Sequence, residues 1–188
     1  FVRGDISQLE DILTTIKSFS VEKIVNFAYL MVQETERMPR LATKVNILGM
    51  CNVFEAARLM GISRVIYPST NGVYGDQSEY GDREVTEDDP LHPPTTYGIT
   101  KQLNEIMAAK YSEQYGTRII GLRPAFGFGH GREAAGAKER HSDIISLPAI
   151  GKPVFVPKEP SSSYTLAYID DIVELARILL HAPSPKYD

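Results

Sequence analysis

Tyr97 and Lys101 stand four residues apart in a stretch that reads as a helix, so both side chains fall on one face, about 6 Å apart along the axis. An ammonium beside a phenol favours the phenolate and draws the tyrosine pKa toward working pH, which a base removing a hydroxyl proton requires. With 10 tyrosines in 188 residues the spacing is weak evidence by itself and needs a third group on the same rim. Thr70 is that group. It ends a predicted strand in Ser69-Thr70-Asn71-Gly72-Val73-Tyr74-Gly75, where its hydroxyl can bond a substrate oxygen while Tyr97 takes or gives the proton. The bland alternatives are a turn hydroxyl for Thr70 and an ordinary helix residue for Tyr97.

These groups need elements to hold them. Ser7 followed by Glu10 predicts a capping box, and Leu9, Ile12, Leu13 and Ile16 recur at helical spacing, so a helix is expected over 7–18. A short buried strand follows over 23–28. Pro39 opens a long helix that Gly61 closes, and Arg64-Val65-Ile66-Tyr67 is the next strand. The loop over 69–94 is too long for a plain connector, and such loops are usually functional. Thr95 or Thr96 caps a helix running to Tyr115, Gly116 ends it, and a strand is expected over 118–122. A short helix near Ile144, strands around Val154 and Thr165 and a helix over 170–180 complete the pattern. Asp170 and Asp171 suit the start of that last helix.

Strands alternating with helices predict a doubly wound parallel sheet, covered on both faces. The expected division is 1–124 for the sheet domain and 125–188 for a smaller substrate-side region. In such a sheet, ligands bind beyond the carboxyl ends of the strands. Four segments follow predicted strands and line that edge: Gly4-Asp5-Ile6, Ala28-Tyr29, Pro68-Ser69-Thr70-Asn71 and Arg123-Pro124-Ala125. Asp5 either meets a ligand there or caps the following helix.

Composition narrows the partners. The net charge of −4 comes without a basic block, so no nucleic-acid or anionic-membrane partner is expected, and the expected partner is a small molecule or another protein. No apolar run approaches the roughly 18 residues needed to span a bilayer, and no signal peptide opens the chain. The single cysteine, Cys51, reads as a small apolar core residue, and a cytoplasmic location is expected. His92, His130, His141 and His181 lack ligand spacing, so no metal site is expected. The acidic stretch from Glu84 to Asp89 reads as solvated loop surface. Phe1-Val2-Arg3-Gly4 reads as the tail of a strand, and the chain is expected to be a fragment.

Taken in order, these residues resemble the extended short-chain dehydrogenase/reductase family, most of all its NAD-dependent epimerase/dehydratase branch, the one containing UDP-glucose 4-epimerase. Gly4-Asp5-Ile6 resembles the adenine-contacting turn, Phe27-Ala28-Tyr29 the turn whose backbone lies along the cofactor, and Asn46 with Gly49 the Asn-x-x-Gly helix motif. Thr70 falls at the catalytic Ser/Thr, Tyr97-Gly98-Ile99-Thr100-Lys101 at the Tyr-x-x-x-Lys, and Leu122-Arg123-Pro124 at the strand end near the nicotinamide. Tyr168-Ile169-Asp170-Asp171 resembles the family's turn into a late helix.

The resemblance implies a Rossmann-like fold without its N-terminal strands, with the start of a small substrate lobe. It implies NAD as cofactor, NADP remaining open because the choosing residue follows a strand these residues do not contain. Asp5, Ile6, Phe27, Ala28, Tyr29, Asn46, Pro68, Ser69, Tyr97, Lys101, Pro124 and Ala125 would contact the cofactor, and Thr70, Asn71, Tyr97 and Phe126 the substrate, a sugar or sugar nucleotide. Helices over 39–60 and 95–115 would pair two copies into a homodimer. Three departures stand out. The Gly-rich pyrophosphate loop lies outside these residues, Asn71-Gly72 replaces the acidic pair of the 4,6-dehydratases, and Phe126 replaces a substrate-contacting Asn. Epimerisation is therefore expected over dehydration, with a reductase or a non-catalytic cofactor-binding protein as the rivals.

Overall fold

The structure, a computed structural model, describes residues 1–129, 141–154 and 165–183. The chain forms two compact units, Phe1–Arg123 with Leu179–Asp188, and Pro124–Ile178.

In the first unit three parallel strands, β1 (Lys23–Val25), β2 (Arg64–Pro68) and β3 (Ile119–Leu122), lie in the order β1-β2-β3. Ile24 pairs with Val65, and Ile66 with Ile120. Parallel neighbours require long crossovers, and helices supply them. α1 (Leu9–Phe19) precedes β1. Between β1 and β2 run α2 (Val32–Arg37), α3 (Pro39–Ala42), a π-helical segment (Thr43–Gly49) and α4 (Met50–Met60). α5 (Thr96–Tyr115) joins β2 to β3. α1 packs on α4, α4 on α5, and α5 on β3. Every residue of the central strand β2 is buried, as expected of a strand flanked on both edges in a parallel sheet.

The core is the seam where these helices meet the sheet: Ile16, Met50, Val53, Phe54, Ala57, Val65, Tyr67 and Ile119 form one buried cluster. Phe54 meets the Tyr67 ring edge-on at 5.5 Å. In the second unit, β4 (Phe126–Phe128) pairs in parallel with β5 (Leu166–Tyr168). α6 (His141–Ala149) packs on β4, and α7 (Ile169–His181), whose residues from Leu179 on count with the first unit, follows β5 directly with Asp170 and Asp171 in its first turn.

Several expectations are corrected. The Ser7–Glu10 capping box does not form: α1 starts at Leu9 with no side-chain cap, while Ser7 is buried and gives its N–H to Asp5 Oδ1 at 2.9 Å. The Asp5 carboxylate two residues upstream takes the Ser7 N–H that Glu10 would accept in the box, so an Asx turn replaces it. The strand expected over 23–28 stops at Val25. Asn26 still donates its N–H to Ile66 O, but its side-chain carbonyl accepts from Ala28 N–H at 3.2 Å and turns the chain away. The long helix from Pro39 is broken by the π-helical segment. Val154 is not in a strand, and the residues after it lie outside the described part. Cys51 is only half-buried, its Sγ 4.0 Å from Tyr111 Oη. Asp89 is held by Arg83 Nη1 and by Thr86 rather than freely solvated.

Phe54 is fully buried at the centre of this seam. Truncating it (Phe54→Ala) is expected to lower the unfolding free energy by about 3–5 kcal/mol, read from the shift of a urea transition.

Candidate active site

Lys101 is fully buried, and its Nζ donates to the carbonyl of Pro68, the last residue of β2, at 2.7 Å. The same nitrogen sits 3.7 Å from the centroid of the Tyr29 ring and 5.4 Å from that of Tyr97. The two rings are 6.1 Å apart and tilted by 44°. Burial pulls the Lys101 pKa down to about 7. The carbonyl and the negative ring face favour the charged form, so ammonium and neutral amine are both accessible near neutral pH. Tyr97 itself is 8% exposed, so a nearly buried phenol and a fully buried amine share one side of α5.

Tyr29 reaches Lys101 because the chain after β1 is clamped. Asn46, in the π-helical segment, accepts Leu30 N–H at 2.8 Å and donates to Leu30 O at 3.0 Å, satisfying both main-chain polar groups of that residue. Asn104 of α5 donates in turn to the backbone carbonyl of Asn46 at 2.8 Å. A π turn loosens the backbone ladder of a helix and often marks a functional site. Here the main-chain carbonyl of Asn46, within that segment, accepts from outside its own helix.

The start of α5 is fixed twice. Thr95 Oγ1 accepts Gly98 N–H at 3.0 Å, and the Glu36 carboxylate accepts both the N–H and the hydroxyl of Thr96, at 2.7 and 3.0 Å. A carboxylate at a helix N-terminus is favoured by the dipole as well. Gly98 is required by close approach: a Cβ there would lie 2.8 Å from Pro93 Cβ and 3.3 Å from the Gly72 carbonyl. The turn carrying Thr70 is thereby brought onto the helix turn carrying Tyr97. Thr70 Oγ1 accepts Gly72 N–H at 3.1 Å.

At the turn before α1, Asp5 bonds Ser7 N–H and stands 3.7 Å from Lys44 Nζ; the Ser7 N–H foremost, and Lys44 after it, keep its carboxyl below the usual carboxylate range. Ile6 packs where Gly49 has no Cβ, since one would meet Ile6 Cδ1 at 2.6 Å, and Asn52 donates to Ile6 O at 3.0 Å. Phe27 and Ala28 are exposed on the turn after β1. Ser69 is buried with its hydroxyl committed to Glu105, and Asn71 opens the short helical turn after Thr70. Pro124, Ala125 and Phe126 belong to the second unit, where Phe126 N–H donates to Thr165 O at 3.2 Å. His130 and the His141 side chain lie outside the described residues. A cavity of about 360 Å³ between α1 and β1 touches Asp5, Ile6 and Asn26 but none of Thr70, Tyr97 and Lys101; its walls are mainly apolar, among them Ile12, Ile16 and Val53.

Glu36, Asn104 and Glu105 went unread in the sequence. Asn104 and Glu105 had a signal: they follow Lys101 by three and four residues, and so must share its buried face. Glu36 had none, because its partner is 60 residues away.

Burial favours the neutral amine of Lys101 in the folded state, so between about pH 7 and its ordinary value of 10.5 the unfolded chain binds more protons. Stability is therefore greatest above that window and is lost as pH falls through it. Relative to Lys101→Met, the wild-type unfolding free energy is expected to rise with pH across the window, by at most about 1.4 kcal/mol per pH unit. Urea titrations from pH 6 to 10 check this, and a constant difference between the two proteins would contradict it.

The model of the NAD dependent epimerase/dehydratase family matches residues 1–187. An uncharacterized protein of Methanocaldococcus jannaschii is 31% identical over 179 residues, 93% of this chain and 52% of the relative. Protein CapI of Staphylococcus aureus is 29% identical over 189 residues, 99% of this chain and 55% of the relative. The chain thus spans about half the length of the curated relatives it matches. Among solved structures, the UDP-glucose 4-epimerase of Thermus thermophilus in complex with NAD superposes with a TM-score of 0.81 at 23% identity, over 96% of this chain and 60% of that one. The GalE-like L-threonine dehydrogenase of Cupriavidus necator superposes with a TM-score of 0.84 at 21% identity, over 97% and 59%. Both likenesses concern the fold, a Rossmann-like α/β architecture with a parallel sheet. With the family model covering the chain almost from end to end, over the same residues that carry Thr70, Tyr97 and Lys101, this protein belongs to the NAD dependent epimerase/dehydratase family.

Proposed function

We propose that this chain carries the proton-transfer machinery of an NAD-dependent epimerase acting on a sugar or sugar nucleotide. The observation that carries the reading is the buried Lys101 ammonium, placed between the Pro68 carbonyl and the rings of Tyr29 and Tyr97. A lysine so deeply buried is costly unless it has work to do, and a cation beside a phenol raises the acidity of the phenol.

The donor set fits NAD in part. Lys101 spends one N–H on Pro68 and keeps donors suited to ribose hydroxyls, and Asp5 offers a carboxylate on the exposed turn before α1. When bound, the cofactor supplies the acceptor for a hydride and gives the hydride back. Tyr97 as phenolate takes the proton of the substrate hydroxyl and returns it to the same oxygen. Thr70 holds that oxygen with its hydroxyl, and Lys101 keeps Tyr97 acidic while holding the ribose. Asn71-Gly72 provides no acid to expel water, which disfavours dehydration. The rival reading is a dehydrogenase that releases its oxidised product.

The helices of the β1–β2 crossover and α5 carry a second feature. Ile99, Leu103 and Ile106 form an exposed apolar stripe along α5, with Ile99 53% and Ile106 55% exposed, and Leu41, Leu48 and Leu59 are exposed along 39–60. Stripes at helical spacing favour burial against a like surface, and a homodimer built on these helices is the proposed assembly.

Incubating the whole protein with NAD and a panel of sugar nucleotides is expected to give an epimer without net NADH, and Tyr97→Phe to lower kcat by about 10²–10⁴-fold with NAD still bound. Accumulating NADH would mean a dehydrogenase, and tight NAD binding without turnover a regulatory protein. Separately, Leu48→Glu combined with Ile106→Glu is expected to convert a dimer to a folded monomer in sedimentation equilibrium. A monomeric wild type would end the dimer proposal.

A further inference from the structure

Glu105 lies one turn beyond Lys101 and two beyond Tyr97, on the same inward face of α5. A carboxylate there is costly unless its oxygens are matched. Arg123, just after β3, supplies a two-pronged partner: Nε to Oε1 at 3.0 Å and Nη2 to Oε2 at 2.7 Å, the Arg123 and Glu105 side chains being 22% and 15% exposed. Two further bonds leave this pair. Ser69 donates its hydroxyl to Glu105 Oε1, and Arg123 Nη1 donates to Tyr74 Oη at 2.6 Å with its guanidinium 4.9 Å from the Tyr74 ring centroid. Arg123 Nη1 also reaches the Glu87 carbonyl at 3.1 Å, deeper in the same loop.

Ser69 and Tyr74 bracket Thr70. The bond of Thr70's own hydroxyl, from Gly72 N–H, is local to the turn and does not tie it to α5. Both sides of the turn are instead fastened to one ion pair whose carboxylate rides on the helix that carries Tyr97. Stability is a weak reason for such a pair, since apolar residues of similar volume commonly replace a buried ion pair without loss. Register is the better reason, because a bidentate guanidinium–carboxylate fork fixes direction as well as distance.

We propose that Glu105 and Arg123 are positioning residues, whose ion pair, through Ser69 on one side and Tyr74 on the other, sets the Thr70 hydroxyl in register with Tyr97. The proposal rests on the reading of Thr70 and Tyr97 as the reacting pair. It adds the element that determines whether the two face the same substrate oxygen.

The test compares three proteins: the wild type, Ser69→Ala, which cuts one tie and leaves the ion pair, and Glu105→Met with Arg123→Met, which removes both charges at similar volume. Single truncation of either charge is avoided, because a stranded buried charge would unfold the region for an unrelated reason. The double variant is expected to keep NAD affinity and KM within about twofold, and in both variants kcat is expected to fall about 10–100-fold, the cost of misplacing a reacting group by about an ångström. Hydrogen exchange over 70–75 is expected to accelerate at least about tenfold in the double variant, with exchange in α5 unchanged. A double variant that keeps wild-type kcat and loop protection would overturn the proposal, as would acceleration spread equally over α5. If the wild type turns over no substrate, the functional reading fails by itself, and the exchange measurement still decides whether the pair holds the Thr70 turn.

Discussion

A lysine shut away from water is the constraint on which this structure turns. An ammonium deprived of solvent must be repaid by fixed dipoles, and Lys101 finds two: the Pro68 carbonyl at the end of the central strand and the face of the Tyr29 ring. Each sits on a different stretch of chain, so meeting the need of one side chain fixes three segments against one another. α5 must bring Lys101 to the end of β2 in one register, and the turn after β1 must fold back over both. The same demand brings the Tyr97 ring within 5.4 Å of the cation, so the stabilising contact and the proposed chemical contact arise from one placement.

The clamps around this centre share a logic: main-chain groups freed by irregular backbone are taken up by asparagine or carboxylate side chains from neighbouring elements. Asn46 O, in the π-helical segment, accepts from Asn104, while the Asn46 side chain closes on the main-chain N–H and C=O of Leu30. Glu36 takes the first donors of α5, and Asp5 those of the turn into α1. Gly49 and Gly98 matter for the opposite reason, as places where the lack of a side chain lets Ile6 and the Gly72 carbonyl come close.

Much of this was legible in the residue order because it depends on local chemistry. Gly61 and Gly116 stop their helices with positive φ, Thr95 caps α5, and an apolar run with both faces covered makes β2 a central strand. The four-residue interval from Tyr97 to Lys101 places both on one helix face whatever the rest of the fold does. The capping box at Ser7 misled for a physical reason: Ser7 and Glu10 have the right spacing, but the Asp5 carboxylate, nearer in the chain, takes the Ser7 N–H that the box would use.

What the sequence by itself determined, then, is periodicity and adjacency: the alternating elements, their stops, and the shared face of Tyr97 and Lys101. Tertiary structure decided everything that depends on a partner distant in the chain. It set the Tyr29 ring over Lys101, Glu36 on Thr96, and Arg123 on Glu105, pairs separated by 72, 60 and 18 residues. Helical and strand periods repeat every few residues and can be read along the chain. Whether a buried charge finds its counterpart depends on how strands and helices stack, and that distance is set only once the chain has folded.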